Sequence, residues 1–128
     1  MTIVELNHGT LDVKLLVCNK ALRLAVISVA EDLGVETSVV FSNQATMGQF
    51  LYAYAYFCYQ IYCKKNRVVR EFDQFDFEEM ILEQEVKEGE SNLSEVLEVL
   101  SDSLVTNVKK GIEKAQEESK KKVIATIG

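Results

Sequence analysis

Proline and tryptophan are absent from this 128-residue chain, and histidine occurs only once. A metal site built on several histidines is therefore excluded, and so is a Ser-His-Asp triad unless His8 supplies its base. The six glycines are scattered, and none of them builds a phosphate-binding loop or a dinucleotide-binding fingerprint. We therefore predict no catalytic, cofactor or metal site and do not expect an enzyme.

Cysteine is also scarce, and its pattern predicts no disulfide framework. The three cysteines, Cys18, Cys58 and Cys63, are odd in number and lack paired spacing. Cys58 and Cys63 are five residues apart on a predicted helix, so they face different directions and suit neither zinc nor a redox pair. We expect them in the core, and we expect His8 to lie at the surface in a turn.

Positive charge is scarce in one part of the chain. The formal net charge is −6, and residues 71–102 carry twelve acidic side chains and one basic side chain. An acidic chain repels phosphate, so nucleic-acid binding through a basic surface is disfavoured. A solvated helix face is the simplest interpretation of the acidic segment, while a basic partner or nucleic-acid mimicry stays open.

The longest uncharged stretch covers residues 37–63, and its apolar part, 47–63, has 17 residues. That length is at the lower limit for a membrane-spanning helix. This apolar part also contains two glutamines and all five tyrosines. A helix that is buried or faces a partner is therefore favoured over a membrane span. The N-terminal residues show no secretory signal pattern, which favours a reducing cytoplasm.

The sequence predicts a β-hairpin over residues 2–17 and a helix over residues 19–33. Hydrophobic residues alternate along the second strand at Leu11, Val13, Leu15 and Val17, with turn residues before them. Asn19 is placed to cap the helix, and Gly34 to end it. Residues 35–45 are a connection, in which 39–41 form either a short strand or a loop.

Three further helices are predicted. One runs from 46 to 65 behind a capping box of Thr46 and Gln49, and a short one runs from 76 to 86 behind Asp76 and Glu79. A polar break at 87–91 follows. Ser91 then caps a long helix over 92–121, with a narrow apolar stripe. The stripe contains Leu93, Val96, Leu97, Leu100, Leu104, Val108 and Ile112.

This order predicts an α+β fold, mainly α, with an N-terminal β-hairpin packed on a helical layer and a long C-terminal helix. We assign residues 1–88 to the hairpin and helical core. Residues 89–128 form the C-terminal helix and tail, either in the same domain or as a projecting arm.

The five tyrosines all lie on the helix over 46–65, which is apolar or aromatic nearly all round. Such a helix is buried on most sides or contacts another chain. Tyrosine suits a surface that is wet when free and dry when bound. An aromatic-rich core helix and a partner-binding helix are both consistent with the pattern. The predicted partner-binding residues are Phe50, Tyr52, Tyr54, Tyr56, Phe57, Tyr59 and Tyr62.

The order of elements over residues 2–86 resembles the small tail assembly chaperones of long-tailed, siphophage-type bacteriophages. The resemblance rests on the hairpin of 3–17, a helix like that at 20–25, an aromatic-aliphatic helix like that at 50–55 and an acidic helix like that at 77–82. It implies a non-enzymatic protein of the host cytoplasm that self-associates. From the charge balance and the uncharged stretch described above, we expect it to bind neither nucleic acid nor membrane.

The resemblance also implies a partner. Such chaperones coat the long tape measure protein and keep it soluble until the tail tube forms around it. The tyrosine-rich helix would be the contact surface, and the acidic segment would keep the complex soluble. Two alternatives stay open, which are an acidic inhibitor or nucleic-acid mimic and a structural phage virion or connector protein.

Overall fold

The chain begins with an antiparallel β-hairpin, as the alternation predicts. The structure is a computed structural model that describes residues 2–41 and 44–106. Strand β1 spans Thr2–His8 and strand β2 spans Leu11–Val17. The buried face of β2 consists of the residues that the alternation indicates: Leu11, Val13, Leu15 and Val17. The hairpin therefore presents one apolar face to the helices.

The hairpin turn is two residues long. The register pairs His8 with Leu11, which leaves Gly9 and Thr10 as the central residues. Gly9 has a φ of +64°, and no other residue type adopts this conformation as readily. A glycine first in a two-residue turn matches the twist of the flanking strands.

Helix α1 spans Asn19–Leu33 and ends as predicted. Gly34 lies in the left-handed region at φ +66°, and the following Val35 N–H donates to the Ala30 carbonyl at 3.0 Å. The predicted Asn19 cap is wrong. The N-cap residue is Cys18, which is extended and makes no side-chain capping hydrogen bond.

The connection after α1 contains a 3-10 turn at Thr37–Val39 rather than a strand. Val40 is fully buried behind this turn. Helix α2 spans Gln44–Asn66, so Thr46 is not its cap. The Thr46 hydroxyl instead donates to the Val40 carbonyl at 2.6 Å, which ties the start of the helix to the connection.

Helix α3 spans Gln74–Glu83 and is shifted from the predicted 76–86. Asp73 is its N-cap, and the Asp73 carboxylate accepts a hydrogen bond from the Asp76 N–H at 2.8 Å. The sequence offers two acidic residues three positions apart, and the first of them is the cap.

A final helix, α4, is described over residues 93–106. Ser91 Oγ accepts a hydrogen bond from the Leu93 N–H at 3.1 Å, in agreement with a start near 92. The described part of the predicted stripe packs inward, with Val96, Leu100 and Leu104 buried and Leu93 and Leu97 half-buried. The rest of the predicted helix, 107–121, and the tail to 128 lie outside the described residues.

Helix α2 occupies the centre of the fold. It packs against α1, β2 and α3, and a hydrogen bond joins it to α4. Buried side chains occur on all of its sides, which explains its nearly uniform apolar character. The fold is therefore α+β and mostly helical. Over residues 2–41 and 44–106, none of the helices combines the length and the hydrophobicity that a membrane span requires.

Candidate interaction surface

The predicted partner-binding residues divide into two groups. Phe50, Tyr54, Tyr56 and Tyr59 are buried within the chain. Tyr52, Phe57 and Tyr62 are half-buried. The first group fills the core, so only the second group offers surface to a partner.

The three half-buried aromatic side chains do not share a face of α2. Tyr52 and Phe57 are five residues apart, and so are Phe57 and Tyr62. At 100° per residue, each step turns the side chain by about 140°. The three half-buried rings therefore point in different directions around α2 and do not form one continuous surface.

Two of the three buried tyrosines, Tyr56 and Tyr59, belong to an aromatic cluster between α2 and α3. The Tyr59 ring stacks on the Phe77 ring with centroids 5.5 Å apart, and the Tyr56 ring meets Phe77 edge-on at 5.6 Å. Tyr59 Oη accepts hydrogen bonds from the Glu71 N–H at 2.8 Å and the Phe72 N–H at 3.3 Å. The ring and the hydroxyl of Tyr59 are thus both used inside the chain.

Tyr54 is used internally on the opposite side of α2. Its hydroxyl lies 3.2 Å from Ser103 Oγ on α4. Burial raises the pKa of the Tyr54 phenol, partly offset by the Ser103 hydrogen bond. Tyr54 therefore stays protonated and joins α4 to the core.

An exposed apolar surface lies at the connection between α1 and α2. We define the α1–α2 corner as residues 33–41. Its exposed hydrophobic side chains are Leu33, Val35, Val39 and Phe41. The corner is anchored by buried Val40 and by the Phe41 ring, which meets the Phe50 ring edge-on at 5.1 Å. The corner thus exposes four large apolar side chains to solvent, although Val40 and the Phe41–Phe50 contact attach it to the core.

Sequence reasoning missed this corner as a candidate site. The run Val39-Val40-Phe41 is visible in the sequence, where it is compatible with either a short strand or a loop. The 3-10 turn places Val40 inward and leaves Val39 and Phe41 exposed, and a strand over the same three residues would also have separated Val40 from its two neighbours. The signal available was an apolar run beside a helix-ending glycine.

The prediction for His8 is wrong, because its side chain is buried, with 8% of its surface exposed. His8 ends β1 on the same face as Leu6, two residues earlier. Its Nδ1 lies 2.7 Å from Ser91 Oγ, and its buried Nε2 has no hydrogen-bond partner. The period-two pattern of β1 was the available signal.

Polar side chains fasten the segment 84–92 to the hairpin. Gln84 Nε2 donates to the His8 carbonyl at 2.6 Å, and Gln84 Oε1 accepts from the Thr10 N–H at 3.1 Å. Asn92 Nδ2 donates to the Glu5 carbonyl at 2.8 Å, while Asn92 Oδ1 accepts from the Asn7 N–H at 2.8 Å. We call this set of contacts the hairpin latch. It positions the start of α4 beside β1.

The two helix cysteines lie in the core, as predicted. Cys58 and Cys63 are buried and free, and Cys18 is free and half-buried. Burial raises the pKa of both the Cys58 and the Cys63 thiols. They are therefore held as thiols, which are poor nucleophiles and metal ligands.

The acidic segment is solvated almost throughout. Of its twelve carboxylates, eleven are exposed, and Glu78 is half-buried. Desolvation, with a smaller contribution from Asp32, raises the pKa of Glu78, while a hydrogen bond from Gln74 opposes the shift. The acidic side chains thus form a charged exterior around the outer surface of α3 and α4.

Among residues 2–41 and 44–106, no group of three or more histidine, cysteine or acidic side chains is placed to hold a metal ion. Comparisons of the chain with protein-family models, with curated proteins and with solved structures found no match.

Proposed function

We propose that this protein is a non-enzymatic phage tail assembly chaperone that binds the tape measure protein and keeps it soluble until the tail tube forms. The observation that carries the proposal is the order of elements. A β-hairpin is followed by a helix, a central aromatic helix and a short acidic helix, over the part of the chain where the resemblance lies. The client is the one that the resemblance implies.

The α1–α2 corner is the contact surface in this proposal. A tape measure protein is long and helical, so it offers apolar stripes along its helices. Leu33, Val35 and Val39 present an exposed apolar surface of matching character. In this proposal the corner, and not the buried tyrosines, contacts the tape measure protein. The half-buried Tyr52 and Phe57 side chains contribute only their exposed parts to that contact.

The acidic exterior supports solubility of the coated client. Eleven exposed carboxylates lie on or next to α3 and α4. Net negative charge keeps complexes apart by mutual repulsion. The same chain thus combines an apolar contact surface with a charged outer surface.

The test is co-expression of the full chain with the tape measure protein encoded near it. Soluble client is measured by pull-down and mass spectrometry. The Val35→Ser/Val39→Ser variant is expected to recover at least about tenfold less client, because it removes apolar contact area. The Val69→Ser/Val105→Ser variant is the matched control, since it alters two exposed valines elsewhere. Failure of the wild-type chain to recover soluble client would overturn the proposal.

The same experiment separates the two alternatives. The exposure of the acidic segment favours a nucleic-acid mimic as the second candidate. Recovery of a basic nucleic-acid-binding protein in place of the client would support the mimic. A structural virion protein would be found in mature particles, from which a chaperone is absent.

A further inference from the structure

The α1–α2 corner carries negative charge beside its exposed apolar side chains. Glu31, Asp32 and Glu36 lie within it or next to it and are exposed. Residues 24–63 contain no lysine or arginine, so no cation close in sequence offsets these carboxylates. Burial and, to a smaller degree, the charge of Asp32 raise the pKa of Glu78 on α3, so a further acidic group lies near the corner. The corner therefore suits an occupant with both apolar and cationic side chains.

A segment of this complementary composition follows α4 in the sequence. Residues 120–127 are three consecutive lysines followed by Val-Ile-Ala-Thr-Ile, and no acidic residue occurs after Glu118. We call residues 120–127 the tail segment. It combines cationic with aliphatic side chains, whereas the corner combines carboxylates with aliphatic side chains.

Contacts within the core connect α4 to the corner. Ser103 Oγ on α4 lies 3.2 Å from Tyr54 Oη on α2. The centroid of the Tyr54 ring is 5.9 Å from that of the Phe50 ring, and the Phe50 ring lies 5.1 Å from the Phe41 ring of the corner. Only two aromatic side chains therefore separate α4 from the corner at this point.

The direction of α4 is consistent with such a contact. Val99 lines a cleft together with Ile61, which lies near the end of α2. Four residues later, Ser103 contacts Tyr54, about two turns closer to the start of α2. The described part of α4 therefore runs towards the start of α2, which adjoins the corner.

The tail segment is close enough in sequence to reach the corner. Residues 107–119 join it to the described part of α4. Even at the helical rise of 1.5 Å per residue, this tether spans about 20 Å. A segment on a short tether is present at an effective concentration of about 1 mM. It therefore has an advantage over partners that arrive from solution.

We propose that the tail segment binds the α1–α2 corner of its own chain. Its lysines lie beside the carboxylates of the corner, and its aliphatic side chains pack on Leu33, Val35 and Val39. The contact covers an apolar surface that is exposed among the described residues. The tail segment then competes with the tape measure protein for the corner, and this consequence rests on the proposed function.

Carbodiimide cross-linking of the full chain tests the contact, because this reagent joins a carboxylate to a lysine without a spacer. We expect mass spectrometry of the digested chain to find tail lysines joined to Glu31, Asp32 or Glu36. The experiment uses an equal mixture of isotopically labelled and unlabelled chains. Links within one chain join two labelled or two unlabelled peptides, and this is the expected result.

A first variant tests the apolar part of the contact and keeps every lysine. Val123→Ser/Ile124→Ser/Ile127→Ser is expected to lower the yield of these links at least about tenfold, because it removes apolar contact area. Val69→Ser/Val105→Ser is the matched control, since it alters exposed valines elsewhere and leaves the yield unchanged. Circular dichroism checks that every variant is folded.

A second variant exchanges the charges of the two surfaces. It combines Glu31→Lys/Asp32→Lys/Glu36→Lys with Lys120→Glu/Lys121→Glu/Lys122→Glu. We expect the links to form again with their chemical roles reversed, from lysines of the corner to glutamates of the tail segment. Restored links show that the two surfaces contact each other, since each carries the opposite of its natural charge.

The effect on the client is measured with the tail lysines alone reversed. Lys120→Glu/Lys121→Glu/Lys122→Glu is expected to bind the tape measure protein about tenfold more tightly than the wild type does. Apparent affinity scales with the fraction of molecules whose corner is open, and the wild-type corner is then open in about a tenth of them. Lys109→Glu/Lys110→Glu/Lys114→Glu is the matched control, with the same charge change and an expected wild-type affinity.

The proposal is overturned if the wild-type chain gives no links between the tail segment and the corner. Links found only between labelled and unlabelled chains, or to the carboxylates of α3 in place of those of the corner, overturn it as well. So do links that persist in the serine variant. If the wild type recovers no tape measure protein while the links within one chain are found, the proposed function fails and the tail contact stands.

Discussion

At the scale of single residues, the hydroxyl groups of the tyrosines decide their roles. Tyr59 Oη accepts two backbone N–H groups from the connection before α3, so the ring and its polar tip are satisfied within the chain. Tyr62, one turn further along α2, is half-buried. Two residues of the same type on one helix thus have different environments.

Tyr59→Phe is expected to lower the free energy of unfolding by about 1–3 kcal/mol. The substitution keeps the ring on Phe77 but leaves two N–H groups without their acceptor. Urea denaturation measures the change. Tyr62→Phe is the matched control, with an expected change within about 0.5 kcal/mol. Equal effects of the two substitutions would contradict the role assigned to the Tyr59 hydroxyl.

At the scale of elements, the hairpin latch joins β1 to the start of α4. Gly9 is at its centre, because a Cβ at this position would lie 2.7 Å from the side-chain amide of Gln84. That amide bonds to both ends of the turn, through the His8 carbonyl and Thr10. The conformation of the turn and the position of the segment after α3 therefore depend on each other through the Gln84 hydrogen bonds.

Gly9→Ala is expected to destabilise the fold by at least about 1 kcal/mol more than Gly34→Ala. Both glycines have a positive φ, which residues with a side chain rarely adopt, so both substitutions carry backbone strain. A Cβ at Gly34 meets open space, whereas a Cβ at Gly9 displaces Gln84. Thermal unfolding of the two variants measures the difference. Similar losses would show that the Gln84 contacts contribute little.

At the scale of the whole molecule, burial of ionisable groups around α2 makes stability depend on pH. The pKa values of Tyr54, Tyr56, Tyr59 and the Cys58 thiol are all raised, with desolvation as the largest cause. The folded chain therefore keeps protons that the unfolded chain releases at alkaline pH. The stability that these groups contribute is fully present at pH values below their pKa in the unfolded chain. It is lost as the pH rises through their pKa in the folded chain.

We therefore expect the free energy of unfolding to fall above about pH 9, where the unfolded thiol ionises, and more steeply above about pH 10, where the unfolded phenols ionise. Urea denaturation at a series of pH values from about 8 to about 11 measures this. Tyr59→Phe should reduce the steeper part of the fall, because it removes one phenol whose pKa is raised in the folded chain. A stability that is constant up to about pH 11 would contradict the prediction.

Local patterns predicted the elements better than their ends. The alternation in β2, the stop at Gly34 and the stripe of α4 were all visible, because each depends on neighbours within a few residues. The caps at Cys18 and Asp73 were misplaced by one to three residues. Several residues near a helix start can serve as caps, and packing of the helix selects among them.

The amino-acid sequence by itself determined the hairpin, the helices and the apolar character of α2, since these follow from periodicity and composition. The tertiary structure alone decided which aromatic side chains are covered, because coverage depends on elements distant in sequence. Tyr59 is satisfied by the connection before α3, and His8 is buried beside Ser91, 83 residues away. The same packing leaves the α1–α2 corner exposed, so the candidate contact surface follows from how the helices surround α2.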